Sequence, residues 1–330
     1  MITSDITALG YEGDSFFFID QTRLPFEEVT VRSNDYERIS HAIERLEIRG
    51  APAIGCAAAY ALALSYRPGN KDNFQAAYER LRKTRPTAVN LFHGLEAIYN
   101  IFRKGGDFND CLAAAKDYHQ TDIQSCNNIS TAGAELLAGK KRPLTICNTG
   151  AFAVGGEGTA LGVIKKLHKV NPLELVTACE TRPLLQGARL TAFELDKAGL
   201  PFRLIVDSAS AFFMSRGEID FAIAGADRIA ANGDTANKIG TLMVAQLCSI
   251  YSIPFYIAAP VSTIDFKISS GKDIPVEFRS ADELHSARGV QITSEKFPAA
   301  NPAFDVTPSH LIAGIITDQG FFTQPYSFKK

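Results

Sequence analysis

A chain of 330 residues can bury a large core and is long enough for two domains. Hydrophobic content of 46%, charged content of 21% and a formal net charge of −2 exclude a chain built chiefly to coat nucleic acid or an anionic membrane. No basic leader opens it, no apolar run reaches the roughly 18–20 residues of a membrane helix, and six scattered cysteines without a CxxC pair predict a reduced, cytoplasmic protein.

Residues 14–32 carry Phe16-Phe17-Phe18-Ile19 and an alternation around Val29-Thr30-Val31, which predicts a short antiparallel β unit. Asn34, with Glu37 three positions on, predicts a capped helix start, and Ile39, Ala42, Ile43 and Leu46 follow at helical spacing. That helix breaks at Ile48-Arg49-Gly50-Ala51-Pro52. Proline suits the first turn of the next helix, and residues 53–66 are so rich in alanine that this helix must pack closely. A second break at residues 84–90 leads into helical patterns that run to about Leu137.

From about residue 143 short apolar strands at 144–147, 173–178, 202–206, 221–224 and 255–258 alternate with helical patterns near 158–168, 186–198, 209–216 and 239–251. Such alternation implies a doubly wound parallel sheet with right-handed crossovers. One more apolar segment, 311–316, lies in a turn-rich final stretch. The expected class is α/β: a mostly helical N-terminal domain with a small antiparallel sheet (1–125), then a Rossmann-like doubly wound parallel-sheet domain (126–330).

The strand ends carry the chemistry. Phe221-Ala222-Ile223-Ala224 stops at Gly225-Ala226-Asp227, as a buried strand does when it delivers a carboxylate to the sheet's carboxyl edge. A polar turn follows, and Asn237-Lys238 stand before a helical pattern, where free N–H groups and the helix dipole favour an anion. Cys147 ends another strand and opens a loop holding Gly150, Gly155, Gly156 and Gly158, whose spacing is not a dinucleotide fingerprint. A cysteine is usually a small core hydrophobe, and Cys179 has a similar edge position, so sequence alone does not separate the two. Arg182, Gln186 and Arg189 suit hydroxyl and anion recognition, although Arg189 equally suits a structural ion pair. Arg49 and Arg85 each precede a Pro-containing turn at a helix start, and their forks match phosphate oxygens or ordinary surface carboxylates. The six histidines are dispersed, and no metal site is expected.

Ten segments then carry a resemblance. They are DQTRLP at 20–25, IRGAPAIG at 48–55, TRPTAVNLF at 84–92, CNTG at 147–150, GTALGVI at 158–164, ETRP at 180–183, QGARLTAFEL at 186–195, GADRIAANGDTANKIGT at 225–241, PFYIAAPVSTID at 254–265 and NPAFDVTP at 301–308. In this order they resemble the methylthioribose-1-phosphate isomerase family, related in fold to the regulatory subunits of translation initiation factor 2B. The resemblance implies an aldose–ketose isomerisation of a 5-substituted ribose 1-phosphate, no cofactor, and a homodimer. It implies Cys147 and Asp227 as the catalytic pair. It also implies Arg49 with Gly50 and Ala51, Arg85, Gln186, Asn237 and Lys238 as substrate and phosphate contacts.

Departures from the family pattern are Leu184 after ETRP, Ala151-Phe152-Ala153-Val154, Glu157, and Glu277-Phe278-Arg279. They sit in loops expected around the 5-substituent, so 5-deoxyribose 1-phosphate and, less well supported, ribose 1,5-bisphosphate stand beside the methylthio sugar. A non-catalytic sugar-phosphate or nucleotide-binding regulator is the rival from another class.

Overall fold

A computed structural model describes residues 6–66, 71–85 and 88–328. The described chain divides into two compact units, 6–127 with Thr149–Gly158, and Asn128–Asn148 with 159–328.

The first unit opens on an antiparallel sheet of β1 (Leu9–Glu12), β2 (Ser15–Ile19) and β3 (Thr30–Ser33), in that order. Five helices follow: α1 (Tyr36–Glu44), α2 (Ala51–Ser65), α3 (Lys71–Leu81), α4 (Val89–Arg103) and α5 (Phe108–Leu136), whose last turns pass into the second unit. The cap of α1 is one residue later than expected. Asp35, in an extended conformation, accepts from the Glu37 N–H (2.9 Å), while Asn34 donates to the Asp14 carbonyl.

Helix α2 is the centre of this unit, buried continuously from Ala53 to Ser65 and apolar on every side, as a helix surrounded by protein must be. Its alanines and glycines permit close crossing: a methyl group added to Gly94 on α4 would fall on the Gly55 carbonyl. Gly50, at φ +90°, turns the chain into α2, and a side chain there would overlap the Ala153 backbone.

The loop 149–158 packs within this same unit, which a single cut after residue 125 would not include. Ala53 N–H donates to the Ala153 carbonyl (3.2 Å), Gln21 Nε2 to the Phe152 carbonyl (2.9 Å), and Gly155 N–H to Asp122 (2.6 Å). His119 Nε2 lies 2.9 Å from the Gly155 carbonyl, which can only accept, so Nε2 carries the proton and Nδ1 accepts from the Tyr60 hydroxyl (3.1 Å). Burial holds this imidazole below its ordinary range, consistent with the neutral tautomer.

The second unit is built on a seven-stranded sheet. Its strands are β4 (Pro143–Thr145), β5 (Val176–Cys179), β6 (Phe202–Ile205), β7 (Phe221–Ala224), β10 (Phe255–Ala258), β15 (Gly314–Thr317) and β16 (Gly320–Phe322). Between β7 and β10 come β8 (Arg228–Ala230) and β9 (Thr235–Lys238), and between β10 and β15 come β11 (Ile264–Asp265), the hairpin β12 (Ser286–Ala287) and β13 (Val290–Gln291), and β14 (Phe304–Thr307). Helices α6 (Ala160–Val170), α7 (Ala192–Lys197), α8 (Ser210–Ser215), α9 (Thr241–Ile250) and α10 (Asp282–His285) complete it. The order is β16-β15-β10-β7-β4-β5-β6, parallel except for the β15–β16 hairpin. All four residues of β7 are buried. Phe221 and Ile223 enter the core shared with α6 and the end of α5, while Ala222 and Ala224 enter the core shared with α8 and α9. Covered on both faces, such a strand reads as a continuous apolar run.

The polar turn through Asn232-Gly233-Asp234 joins β8 to β9, two short strands of a four-stranded sheet ordered β11-β8-β9-β14. Antiparallel pairing with β14, Asn237 opposite Asp305, makes the strand out of residues whose own composition reads as a turn.

Candidate active site

The strand order of the large sheet places its switch point at the first strand: from β4 the chain moves outward to β5 and β6, then returns to β7 on β4's other side. Crevices at the carboxyl ends flanking such a point are where open α/β sheets bind ligands. Cys147 leaves β4, and Asp227 leaves β7, the adjacent parallel strand.

Cys147 adopts φ +66°, the left-handed region that a residue with a Cβ occupies at a cost of about 1–2 kcal/mol. Hydroxyls from two other elements hold it there. Its N–H donates to Thr181 Oγ1 (2.8 Å), and its carbonyl accepts from Thr191 Oγ1 (2.6 Å). Thr181 is also left-handed (φ +64°), and the Asp207 carboxylate at the end of β6 accepts both the Thr181 N–H (2.8 Å) and the Arg182 N–H (2.7 Å). Beneath, Asn148 donates to Glu194 (2.8 Å), which pairs with Lys165 (3.2 Å); both charged groups are buried.

The two strand-end cysteines separate here. Cys179 is fully enclosed, 3.5 Å from the Ser210 hydroxyl, and burial pushes its thiol up to about 12, so it stays a neutral core side chain. Cys147 heads the glycine loop and is 7% exposed.

Gln186 starts a π-helical turn, Gly187–Thr191, a local widening that recurs at functional sites. It is 3% exposed, and among the described residues its Oε1 has no hydrogen-bond partner. Arg182 reaches the Pro183 carbonyl, and Arg189 Nε donates to the Leu184 carbonyl (3.2 Å).

Asp227 is exposed; its N–H donates to the Ala236 carbonyl (2.9 Å). Asn237 and Lys238 stand before α9 as expected, at the end of β9, with α9 starting at Thr241. Asn237 is buried, with Nδ2 on Thr241 Oγ1 (3.0 Å); Lys238 Nζ reaches the Ala303 carbonyl (3.0 Å) and lies 4.4 Å from the Phe304 ring centre. The Gly240 and Leu242 N–H groups at the start of α9 donate to Asp305, whose carboxyl burial pushes up to about 6 although those N–H groups and Lys238 pull it down. The helix end read from sequence as an anion site therefore already holds an anion of the chain's own, and Lys238 stands beside it. Asp305 was missed because it lies on a strand remote in sequence. Asp207 and Thr181 each lie two residues past the end of a strand, β6 and β5, where the sequence turns polar.

In the helical unit, Arg49, Gly50 and Ala51 form the entry to α2, and Arg85 accepts the Ala88 N–H through its carbonyl (2.9 Å) at the entry to α4. The 84–90 break extends partly over residues 86–87, which lie outside the described residues. Among the described residues no group of three His, Cys, Asp or Glu could hold a metal ion, and no helix is long and apolar enough to cross a membrane.

A Rossmann-ordered sheet with a cysteine and an aspartate on the neighbouring strand ends of its switch point defines the class of this protein as α/β, doubly wound. The model of the initiation factor 2 subunit family matches residues 47–324. The chain is 46% identical over 333 aligned residues to methylthioribose-1-phosphate isomerase of Desulfitobacterium hafniense strain Y51, covering 97% of this chain and 96% of that one. It superposes on the crystal structure of 5-methylthioribose 1-phosphate isomerase from Pyrococcus horikoshii OT3 with a TM-score of 0.91 at 41% identity, covering 97% and 93% of the two chains. The crystal structure of the translation initiation factor eIF-2B, subunit delta, from A. fulgidus is also similar, with a TM-score of 0.87, 36% identity and 97% of each chain covered. The chain belongs to the methylthioribose-1-phosphate isomerase family, and with it to the initiation factor 2 subunit family.

Proposed function

We propose that this protein converts 5-methylthioribose 1-phosphate to 5-methylthioribulose 1-phosphate in methionine salvage, with Cys147 and Asp227 as its acid/base pair. The observation that carries the reading is their exit from adjacent strands at the switch point of a chain so similar to isomerases of that name. The chemistry needs two such groups. The anomeric oxygen carries phosphate, so the ring opens only when the ring oxygen gains a proton, which Asp227 supplies. The hydrogen on C2 then moves to C1, and the C2 hydroxyl gives up its proton to become the carbonyl, with no net oxidation. Cys147 carries that hydrogen as a proton, or assists its direct passage as hydride.

The same reading takes Arg49, Gly50, Ala51, Arg85, Gln186, Asn237 and Lys238 as the substrate and phosphate contacts. The orphaned Gln186 Oε1 suits a hydroxyl donor. Anchoring the phosphate keeps C1 and C2 in place while the ring opens. The reading includes a cytoplasmic homodimer that needs no cofactor.

The likeness to the A. fulgidus chain favours one second reading, a regulator that binds a sugar phosphate without turning it over. Turnover of 5-methylthioribose 1-phosphate, 5-deoxyribose 1-phosphate and ribose 1,5-bisphosphate by the purified protein tests both. A clear preference for the methylthio sugar supports the isomerase, and preference for the deoxy sugar keeps the chemistry and moves the pathway. Binding of all three without turnover leaves the regulator.

A further inference from the structure

Cys147 is a non-glycine residue in the left-handed region, and so is Thr181, which bonds it. Two such residues in direct contact are uncommon, and for a β-branched threonine the conformation is a genuine outlier. Strain of this kind persists only where the surroundings over-determine it. Here they do. Thr181 Oγ1 accepts the Cys147 N–H (2.8 Å) and spends its own proton on the Cys179 carbonyl (3.2 Å), so its orientation is fixed from both sides. The Thr181 backbone is in turn held by Asp207, one oxygen each on the Thr181 and Arg182 N–H groups. On the other flank, Thr191 Oγ1 donates to the Cys147 carbonyl (2.6 Å) and accepts weakly from Asn148 Nδ2 (3.4 Å). Each hydroxyl has one proton and spends it once, so the donor and acceptor roles have a single consistent solution.

We propose that Thr181 and Thr191 are positioning residues for Cys147: their hydroxyls clamp its peptide groups in the left-handed conformation and so set the direction in which the thiol leaves the rim. This rests on the isomerase reading for its kinetic consequence, and the geometry of the clamp does not depend on that reading. Neither threonine touches the sugar in this account. They act on the thiol's approach, which is felt in the chemical step and not in phosphate binding.

The test compares Thr181→Val, Thr191→Val and the serine variants of both with the wild-type chain. Valine keeps the shape and removes the hydroxyl; serine restores it. The expected result is a fall in kcat of about 10- to 100-fold for each valine variant, with KM within about threefold, because small misplacement of a reacting group is that costly. Each serine variant recovers kcat to within about threefold of wild type. Crystal structures of the valine variants show Cys147 leaving the left-handed region. A folded Thr181→Val or Thr191→Val protein with wild-type kcat and Cys147 still left-handed overturns the proposal, and so does a kcat loss that serine does not rescue. Should Thr181→Val fail to fold, the Thr191 pair decides alone. Should the wild-type chain turn over no sugar phosphate, the isomerase reading falls, and the crystallographic conformation of Cys147 still decides the clamp.

Discussion

Asp305 accepts the Gly240 N–H at 2.7 Å, and with its other oxygen the Leu242 N–H at 3.0 Å, so a strand residue caps a helix more than sixty positions earlier in the chain. Burial raises the carboxyl to about 6 in the folded protein, above the ordinary value of an unfolded aspartate near 4. A raised acid binds its proton more tightly when folded, so its contribution to stability is complete below about pH 4 and is lost as pH rises through about 6. Asp305→Asn removes this dependence. Denaturant titrations of the two proteins from pH 4 to 7 should give a stability difference that changes by on the order of 2 kcal/mol across that window; parallel curves would refute the assignment.

Gly50→Ala should cost about 2–4 kcal/mol, since the new side chain meets both a left-handed φ and the Ala153 backbone. Limited proteolysis should then cut within 149–158 faster than in the wild-type protein. A variant of unchanged midpoint and unchanged cutting would mean that the loop is not held against the start of α2.

The buried pair Lys165–Glu194 predicts an asymmetric mutant series. Lys165→Met alone leaves a buried carboxylate and should cost about 2–4 kcal/mol. Adding Glu194→Gln removes the charge, keeps an oxygen for the Asn148 amide, and should restore part of that loss. Equilibrium urea unfolding of the two variants checks the order; a double variant less stable than Lys165→Met contradicts it.

Gln186→Leu separates function from stability. Its Oε1 makes no bond within the described residues, so the folded state should lose less than about 1 kcal/mol, while kcat/KM falls about 10- to 100-fold with the lost sugar contact. Unchanged kcat/KM in a well-folded variant would remove Gln186 from the site.

How far the sequence could be read follows from what each segment is buried against. Strands β5, β7 and β10 are covered on both faces, so their own composition is apolar and their ends are visible as the first polar residue, which is how Asp227 stood out. Strand β9 is short, holds Thr235, Asn237 and Lys238, and owes its conformation to a partner strand far downstream, so nothing local marks it. Cys147 and Cys179 are alike in sequence setting. What divides them is a backbone dihedral and the enclosure of one thiol, both properties of the assembled sheet.

The most direct test of the Cys147–Asp227 pair is turnover of 5-methylthioribose 1-phosphate, followed by phosphorus NMR, for the wild-type protein, Cys147→Ser and Asp227→Asn. Ketose formation by the wild type and a loss of about 10²–10⁴-fold in kcat for each variant, with substrate still bound, are expected. Wild-type turnover by either variant, or binding without turnover by the unaltered protein, would contradict the pair's role.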